Sequence, residues 1–390
     1  MLRFSTAGES HGQGLVAWVS GLPAGIPVDI TFVNRELKRR QEGYGRGGRM
    51  KIETDQAEIL SGVRRSKTTG APVAMLIANR DWENWKEALP VEEQPQTPEK
   101  YRSLTAPRPG HADLAGCLKF NFHEARYVLE RASARESAAR VAAGALAKLL
   151  LAQFGIEVLS HVLAVGKIPA RKTATWDQIK AICAKEDTLF RCADSDAELQ
   201  MKAAVDEVLR TGDSLGGIFE VIAHNVPPGI GTHANWDERL DGLLAQAVMS
   251  LQAVKGVEIG TGIENAVSLG SRVHDQIDYD RKELRFTRPE NHAGGLEGGI
   301  SNGEDIVVRG YLKPISTLRR PLQSVHLETK EPVKAAYERS DVCVVPAAGV
   351  AAEAMVALTL ARCFLEKFGG DSLDETRRNF EGYREQVRNF

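Results

Sequence analysis

The sequence has 390 residues, of which 43% are hydrophobic and 26% are charged. These fractions are ordinary for a folded protein and exclude a largely disordered chain. Fifty basic residues are balanced by 52 acidic ones, so the overall charge gives no support to nucleic-acid binding. No change of composition marks a domain boundary. We therefore interpret residues 1–390 as one domain with a large hydrophobic core.

The cysteines and apolar segments predict a cytoplasmic protein with no metal site and no membrane segment. The five cysteines form no CxxC pair and have no histidine at metal-binding spacing, which is typical of reduced intracellular thiols. The N-terminus is too polar for a secretory signal. The most apolar long stretch, residues 343–361, contains Pro346 and Glu353. We predict a buried helix there and not a membrane span.

In chain order, hydrophobic periodicity and capping residues predict a mixture of strands and helices. The first half contains a strand over 14–20, a helix over 34–41 capped by Asn34, strands around 58–63 and 71–79, a polar loop over 80–107, and a long Ala-rich helix over about 127–154. The second half contains two peripheral amphipathic helices within 170–212, a strand over 218–223, a helix over 235–254 capped by Asn235, a strand near 306–315, and a second Ala-rich helix over about 347–368.

The two Ala-rich helices begin alike. Glu130 and Arg131 introduce the first, and Glu338 and Arg339 introduce the second, each pair followed by polar residues and then alanines. Two explanations stay open at this point. One is an internally duplicated α+β unit, and the other is a coincidence of composition.

Residues 35–51 form a basic, glycine-rich segment. It holds seven basic and two acidic side chains, together with four glycines between positions 43 and 48. Glycine permits close backbone approach to a ligand, and arginine suits bidentate contacts with carboxylate or phosphate. A binding site for a small anion is one interpretation. A solvated surface loop and an RGG-like nucleic-acid contact are the alternatives.

Two histidines stand in loops that suit proton transfer. His11 lies in GESHG between two glycines, and His111 lies in PRPGHAD, where Asp113 can orient the ring. Imidazole is the natural proton donor near neutral pH. The alternative for each is a purely structural histidine. Asp341, in ERSD before the second Ala-rich helix, is either a third functional group or a helix cap.

Several common active-site motifs are missing from the sequence. There is no Walker loop, no dinucleotide-binding fingerprint within a strand–helix unit, no HExxH pair and no nucleophile elbow. These observations argue against a P-loop nucleotidase, a Rossmann dehydrogenase, a zinc protease and an α/β-hydrolase.

Together, the ordered motifs resemble those of the chorismate synthase family across essentially the whole chain. The matching blocks are GESHG, RRQEGYGRGGRM, SGVRRSKTTGAPV, RPGHAD, ERASARESAAR, GGLEGGISNG, KPIST and ERSDVCVVPAAGVAAEAM. The resemblance implies an α+β subunit built as a β-α-β sandwich, with two central Ala-rich helices between antiparallel strand sets, and a homotetramer. Residues 170–212 match no block, so a peripheral or subunit-contact role is open for them.

The resemblance also implies an activity and its cofactor. The family eliminates phosphate from 5-enolpyruvylshikimate-3-phosphate in an anti-1,4 reaction that yields chorismate, in the shikimate pathway of aromatic amino acid biosynthesis. It requires reduced FMN without net redox change. By resemblance, His11 protonates the leaving phosphate, His111 stabilises the reduced-flavin anion, and Asp341 works with the flavin in deprotonation.

The remaining site residues follow from the same resemblance. The substrate-binding residues are Arg40, Arg46, Arg49, Arg108, Arg135 and Arg339. The cofactor-binding residues are Arg40, Arg46, Ser133, Ala134, Arg135, Gln252, Ala253, Gly298, Lys313, Pro314, Ile315, Ser316, Thr317 and Arg339. Arg40 and Arg46 are also assigned to NADPH. Flavin reduction by the enzyme itself and by a separate reductase both stay open. The rival functions are a redox flavoenzyme and a non-enzymatic RNA-binding protein.

Overall fold

The computed structural model describes residues 1–47, 54–93, 101, 103–186, 188–338 and 341–390. The strands within these residues are β1 Arg3–Gly8, β2 Gly14–Ser20, β3 Ala57–Ser61, β4 Val63–Arg64, β5 Lys67–Thr68, β6 Val73–Ala78, β7 Glu157–Val165, β8 Ile168–Pro169, β9 Gly217–His224, β10 Val254–Ile259, β11 Asp278–Asp280, β12 Arg285–Thr287, β13 Leu296–Glu297, β14 Ile300–Ser301, β15 Ile306–Leu312, β16 Gln323–Val325 and β17 Pro332–Lys334.

The α-helices of the described residues are α1 Ile30–Gln41, α2 Asp113–Phe120, α3 Arg126–Ala132, α4 Ser137–Ala152, α5 Trp176–Cys183, α6 Ser195–Thr211, α7 Leu240–Met249, α8 Gly262–Asn265, α9 Gly270–Val273, α10 Val345–Phe368 and α11 Leu373–Arg388. Short 3₁₀ helices cover Arg80–Asn84 and Ala134–Glu136. The predicted strand over 14–20, the second Ala-rich helix and the two helices within 170–212 are confirmed.

Two antiparallel sheets form the β part of the core. One has four strands in the order β1-β2-β6-β3, and the other has five in the order β10-β15-β9-β7-β8. In β2, the alternate residues Leu15, Ala17 and Val19 are buried, as expected when one face of a strand packs on the protein interior. The coarse prediction of a mixed α and β protein with antiparallel strands is confirmed.

The two Ala-rich helices, α4 and α10, pack against each other in the core. α4 also contacts α1 and β2, while α10 contacts β7 and β9. Gly144 of α4 faces Ala354 of α10 so closely that an added Cβ would lie 2.3 Å from the alanine Cβ. Small side chains therefore allow the close helix–helix approach. α10 is long and apolar enough to cross a membrane, but 83% of its most apolar window is buried, as in a core helix.

Two predicted helix starts are wrong, and in the first of them another residue supplies the cap. α1 begins at Ile30, where the side chain of Asp29 accepts a hydrogen bond from the Thr31 backbone N–H at 2.9 Å. Asn34 instead accepts a bond from the backbone of Ala57. Likewise, α7 begins at Leu240 and not near Asn235. Side-chain capping potential alone does not decide where a chain turns into a helix.

The predicted single helix over 127–154 is interrupted. Ser133 has an extended backbone (φ −62°, ψ 141°), and its side chain accepts a hydrogen bond from the Arg135 backbone N–H at 3.3 Å. α3 therefore ends before this residue, and α4 begins after one 3₁₀ turn. The alanine-rich composition predicts helix but contains no signal for the break. The break lies beside the cavity described below.

Candidate active site

A cavity of about 470 Å³ opens among loops that are far apart in the sequence. Its wall contains sixteen of the predicted site residues: His11, Arg40, Arg46, Arg108, His111, Ser133, Ala134, Arg135, Gln252, Ala253, Lys313, Pro314, Ile315, Ser316, Thr317 and Asp341. The fold thus brings together groups from the start, middle and end of the chain. Such convergence of polar groups in one concavity is typical of a binding or catalytic site.

Three predicted site residues are not among the described residues of this wall. Arg49 and Arg339 lie outside the described residues. Gly298 is described, but it lies in the turn between β13 and β14, where an added Cβ would have the side chain of His233 as its nearest neighbour at 3.9 Å. Its predicted contact with the flavin therefore stays a prediction.

His11 is held by a buried carboxylate. Glu130 accepts hydrogen bonds from the His11 backbone N–H at 2.7 Å and from the ring Nδ1 at 3.0 Å. Trp85 packs on the ring, with a centroid distance of 4.3 Å. Burial opposes ionisation of Glu130, but the contacts with His11 outweigh burial and lower the pKa of Glu130. Because Nδ1 is engaged by this carboxylate, Nε2 is the ring atom suited to proton exchange with a ligand.

We expect Glu130→Gln to lower kcat by about tenfold or more with little change in KM. The amide keeps a hydrogen-bond acceptor for Nδ1 but loses the charge-assisted contact that holds the ring in place. Steady-state turnover at saturating substrate measures the effect. Glu124→Gln is the matched control, because Glu124 bonds the Leu104 backbone and not His11. A wild-type kcat in Glu130→Gln would contradict this role.

His111 is held in a second carboxylate-centred cluster. Asp113, which is fully buried, contacts the ring Nδ1 of His111 at 2.5 Å and accepts a bond from Arg108 Nε at 2.8 Å. Burial raises the pKa of Asp113, but hydrogen bonds from His111 and Arg108 outweigh burial and lower it far below its usual range. Asp113 therefore stays ionised and orients both the imidazole and the guanidinium.

Asp55 joins two of the cavity arginines. Its carboxylate accepts bonds from Arg40 Nη2 at 2.9 Å and Arg135 Nη1 at 2.6 Å. Burial raises the pKa of Asp55, but the two guanidinium groups outweigh burial and lower it. Burial, with further repulsion from Arg135, lowers the pKa of Arg40 to about 10 despite the opposing effect of Asp55. Asp55 has no local sequence signal, because its contacts become recognisable only when the two arginines meet.

Asp341 is positioned by the glycine-rich loop. The Gly47 backbone N–H donates a hydrogen bond to Asp341 Oδ1 at 2.5 Å, and Arg46 Nη1 lies 3.4 Å from Asp341 Oδ2. All three residues contribute to the cavity wall. The structure thus connects two segments that the sequence separates by almost 300 positions.

The described basic residues of the segment 35–51 do not all belong to one anion-binding site. Of its described residues, Arg40 and Arg46 line the cavity. Arg35 lies over an aromatic ring, Lys38 pairs with a surface glutamate, and Arg39 is buried in a separate ion-pair network. Residues 35–41 belong to a helix, so consecutive basic side chains point in different directions.

The comparison with known proteins agrees with this geometry. A family model described as chorismate synthase matches residues 2–365. The chain belongs to the chorismate synthase family. It is 64% identical over 390 residues to the chorismate synthase of Solibacter usitatus (strain Ellin6076), with all of both chains covered. It is 52% identical over 396 residues to that of Aquifex aeolicus (strain VF5), covering 100% of this chain and 99% of the relative.

A solved structure described as "Crystal Structure of Chorismate Synthase" is also similar. It matches with a TM-score of 0.80 at 42% sequence identity, covering 100% of this chain and 99% of the other. The predicted family and activity are confirmed. The protein is a carbon–oxygen lyase (EC 4.2.3.5) that acts on a small molecule to form chorismate in the shikimate pathway. The family uses reduced FMN.

Proposed function

We propose that His11, His111 and Asp341 carry out the acid–base work of the 1,4-elimination inside the 470 Å³ cavity. The observation that supports this most is the convergence of two imidazoles, each held by a buried carboxylate, with Asp341 and several arginines around one concavity. General acid–base groups act best when positioned by neighbours in this way.

The proposed substrate carries a phosphate and two carboxylates, so the site needs fixed cations. Arg40, Arg46, Arg108 and Arg135 would supply them, together with Arg49 and Arg339. Buried carboxylates behind Arg40, Arg108 and Arg135 hold these guanidinium groups in place. Guanidinium groups oriented before binding lose little freedom when a ligand arrives.

His11 would hold a proton at Nε2 and donate it to the oxygen of the departing phosphate as the carbon–oxygen bond breaks. Glu130 would keep the second proton at Nδ1 throughout this step. Asp341 would take part in removing the proton from the substrate carbon. His111, kept near the ionised Asp113, would place positive charge beside an anionic ring. Bound reduced FMN supplies an electron-rich ring that can lend charge to the allylic system and recover it.

The cavity wall has the chemistry that FMN requires. Leu251, Ile315 and Val344 offer apolar contacts suited to a flat ring system. The hydroxyls of Ser316 and Thr317 and the ammonium of Lys313 offer polar contacts. Arg40 belongs to the same wall and would place its positive charge near an anionic group of the cofactor. We assign the flavin to the predicted cofactor residues of this wall on this basis. The assignment of Gly298 rests on the family resemblance alone.

The source of reduced flavin has two alternatives. In one, NADPH binds at Arg40 and Arg46 and the enzyme reduces its own FMN. In the other, a separate reductase delivers the reduced cofactor. Oxidation of NADPH by the purified enzyme with FMN, followed at 340 nm, distinguishes them. Net hydride transfer without chorismate formation would instead favour a redox flavoenzyme.

We also propose that the single-domain subunit is a β-α-β sandwich that arose by internal duplication and assembles as a cytoplasmic homotetramer. Support for assembly comes from the outer face of the four-stranded sheet, where Trp18 and Leu60 are 37% and 53% exposed. Exposed apolar sheet faces are typical of subunit contacts. Light scattering coupled to size-exclusion chromatography measures the assembly state directly.

The decisive experiment is an anaerobic assay of the purified protein with reduced FMN and 5-enolpyruvylshikimate-3-phosphate. We expect stoichiometric release of phosphate together with the absorbance of chorismate. A parallel reaction with oxidised FMN is the control and should be inactive. Folded protein that forms no product under reducing conditions would contradict the assignment. Affinity for RNA that falls steeply with salt and does not depend on His11 or His111 would favour the nucleic-acid alternative.

A further inference from the structure

The segment 188–206, which the sequence left without a role, packs against the glycine-rich loop 42–47. The structure describes all of this segment, and none of its residues lines the 470 Å³ cavity. The loop, by contrast, carries Arg46 and Gly47 into the cavity wall. Any effect of the segment on the reaction is therefore indirect, and loop 42–47 is a neighbour through which it can act.

The contacts between the two segments centre on Tyr44. Its backbone N–H donates to the carbonyl of Leu189 at 2.8 Å. Its hydroxyl donates to Asp206 Oδ1 at 2.5 Å, and the ammonium of Lys202 lies 4.7 Å from the centre of its ring. Lys202 also pairs with Asp206 at 2.9 Å. One face of α6 thus holds the aromatic side chain by a hydrogen bond and a cation–π contact.

The same segment secures both ends of the loop. At the start, Arg191 Nη2 donates to Glu42 Oε2 at 2.6 Å. Further along, Gly45 has a φ of +90°, and an added Cβ would lie 3.1 Å from Val205 Cγ1 and 3.0 Å from Cys343 Cβ. A residue other than glycine would strain the backbone there and also crowd both neighbours.

Beyond Gly45 the loop meets the residues that precede α10. The Gly45 carbonyl accepts a hydrogen bond from the Val342 backbone N–H at 2.8 Å. Two residues later, the Gly47 N–H bonds Asp341 at 2.5 Å. A continuous series of contacts therefore runs from the surface pair Tyr44–Asp206 to the carboxylate of Asp341.

We propose that residues 188–206 form a clamp that holds loop 42–47 in the conformation that positions Asp341, with Tyr44 as the main positioning residue. The clamp acts on the proposed deprotonation step, so the proposal rests on the role assigned to Asp341. A surface hydrogen bond contributes little to global stability. The clamp should therefore affect turnover more than it affects unfolding.

The test is a graded series of variants: Tyr44→Phe, Asp206→Ala, their double variant, and Tyr44→Ala. We expect kcat to fall about two- to fivefold in each single polar variant and about tenfold or more in Tyr44→Ala. The double variant should have a kcat no lower than that of the more impaired single variant, because both substitutions remove the same hydrogen bond.

The melting temperature should change by less than about 3 °C in the polar variants. Asp196→Asn, at the exposed start of the same helix, is the matched control and should keep wild-type kcat.

Two further measurements separate positioning from a general structural effect. Amide hydrogen exchange at residues 47 and 342, whose N–H groups bond Asp341 and the Gly45 carbonyl, should accelerate in Tyr44→Ala while exchange in α10 stays unchanged. In an Asp341→Asn background, Tyr44→Ala should cause no further loss of kcat. Wild-type exchange and turnover in Tyr44→Ala would overturn the clamp, as would an equal loss of kcat in both backgrounds. If Asp341→Asn is itself fully active, the proposed role of Asp341 fails, whereas the exchange rates still decide whether the clamp holds the loop.

Discussion

Replacement of His11 by alanine should lower turnover by about 10²–10⁴-fold, because the departing phosphate loses its proton donor. The variant should fold, since the half-buried ring is held by Glu130 and Trp85 at the cavity wall and is not part of the main hydrophobic core. FMN affinity should stay within a few-fold of wild type. Rapid-mixing turnover and flavin titration together measure both effects.

His111→Ala should reduce turnover by a similar factor. Asp113 would keep its contact with Arg108, so substrate binding should suffer less than the chemical step. His123→Ala is the control for both variants, because His123 is exposed and does not line the cavity. If either variant turned over at the wild-type rate, that histidine would be structural and would have to be removed from the mechanism.

The largest effect on stability should come from Glu353→Gln in the centre of α10. Glu353 is completely buried and accepts hydrogen bonds from Arg39 Nη1 and Nη2, both at 2.8 Å, and from the Ser160 hydroxyl at 2.6 Å. It also contacts Lys148. Removing one partner of a buried ion pair typically costs about 3–5 kcal/mol, because the remaining charges stay buried without compensation.

The pH dependence of stability tests the same network. Burial opposes ionisation, but Arg39 and Lys148 outweigh burial and lower the pKa of Glu353 to about 2. Its folded pKa thus lies below the unfolded value of about 4.3. The ionised group therefore stabilises the fold above about pH 4.3, and this contribution disappears as the pH falls towards 2.

Urea unfolding at pH 7 and pH 3 measures the effect. Wild type should lose stability between these values, and Glu353→Gln should lose less because it lacks this titrating group. Glu366→Gln is the matched control on the same helix. Glu366 pairs with Arg362 at the surface, so its replacement should change stability by less than about 1 kcal/mol. Equal unfolding free energies for wild type and Glu353→Gln at pH 7 would refute the prediction.

The ion-pair network around Glu353 also holds together the helices that carry site residues. Arg39 of α1 binds Glu353 of α10, while the next residue, Arg40, reaches the cavity. Neighbouring arginines therefore have separate roles. One joins two core helices, and the other contributes to the cavity wall. The sequence does not distinguish the two arginines, because their roles depend on which side of α1 meets another helix.

The sequence by itself determined several local elements and the family. Period-two burial in residues 14–20 follows from the alternation of side chains in a strand. Runs of alanine and leucine predicted the buried helix α10. Ordered motifs around His11, His111 and Asp341 identified the family, because each motif is contiguous and needs no knowledge of distant contacts.

The tertiary structure alone decided which distant groups meet. Glu130 and His11 are 119 positions apart. Asp55 contacts Arg40 and Arg135 only after the chain has folded. The break at Ser133 and the contact of Tyr44 with Asp206 likewise carry no periodic signal. Such partnerships depend on packing between elements that can approach from many directions, so short-range patterns cannot specify them.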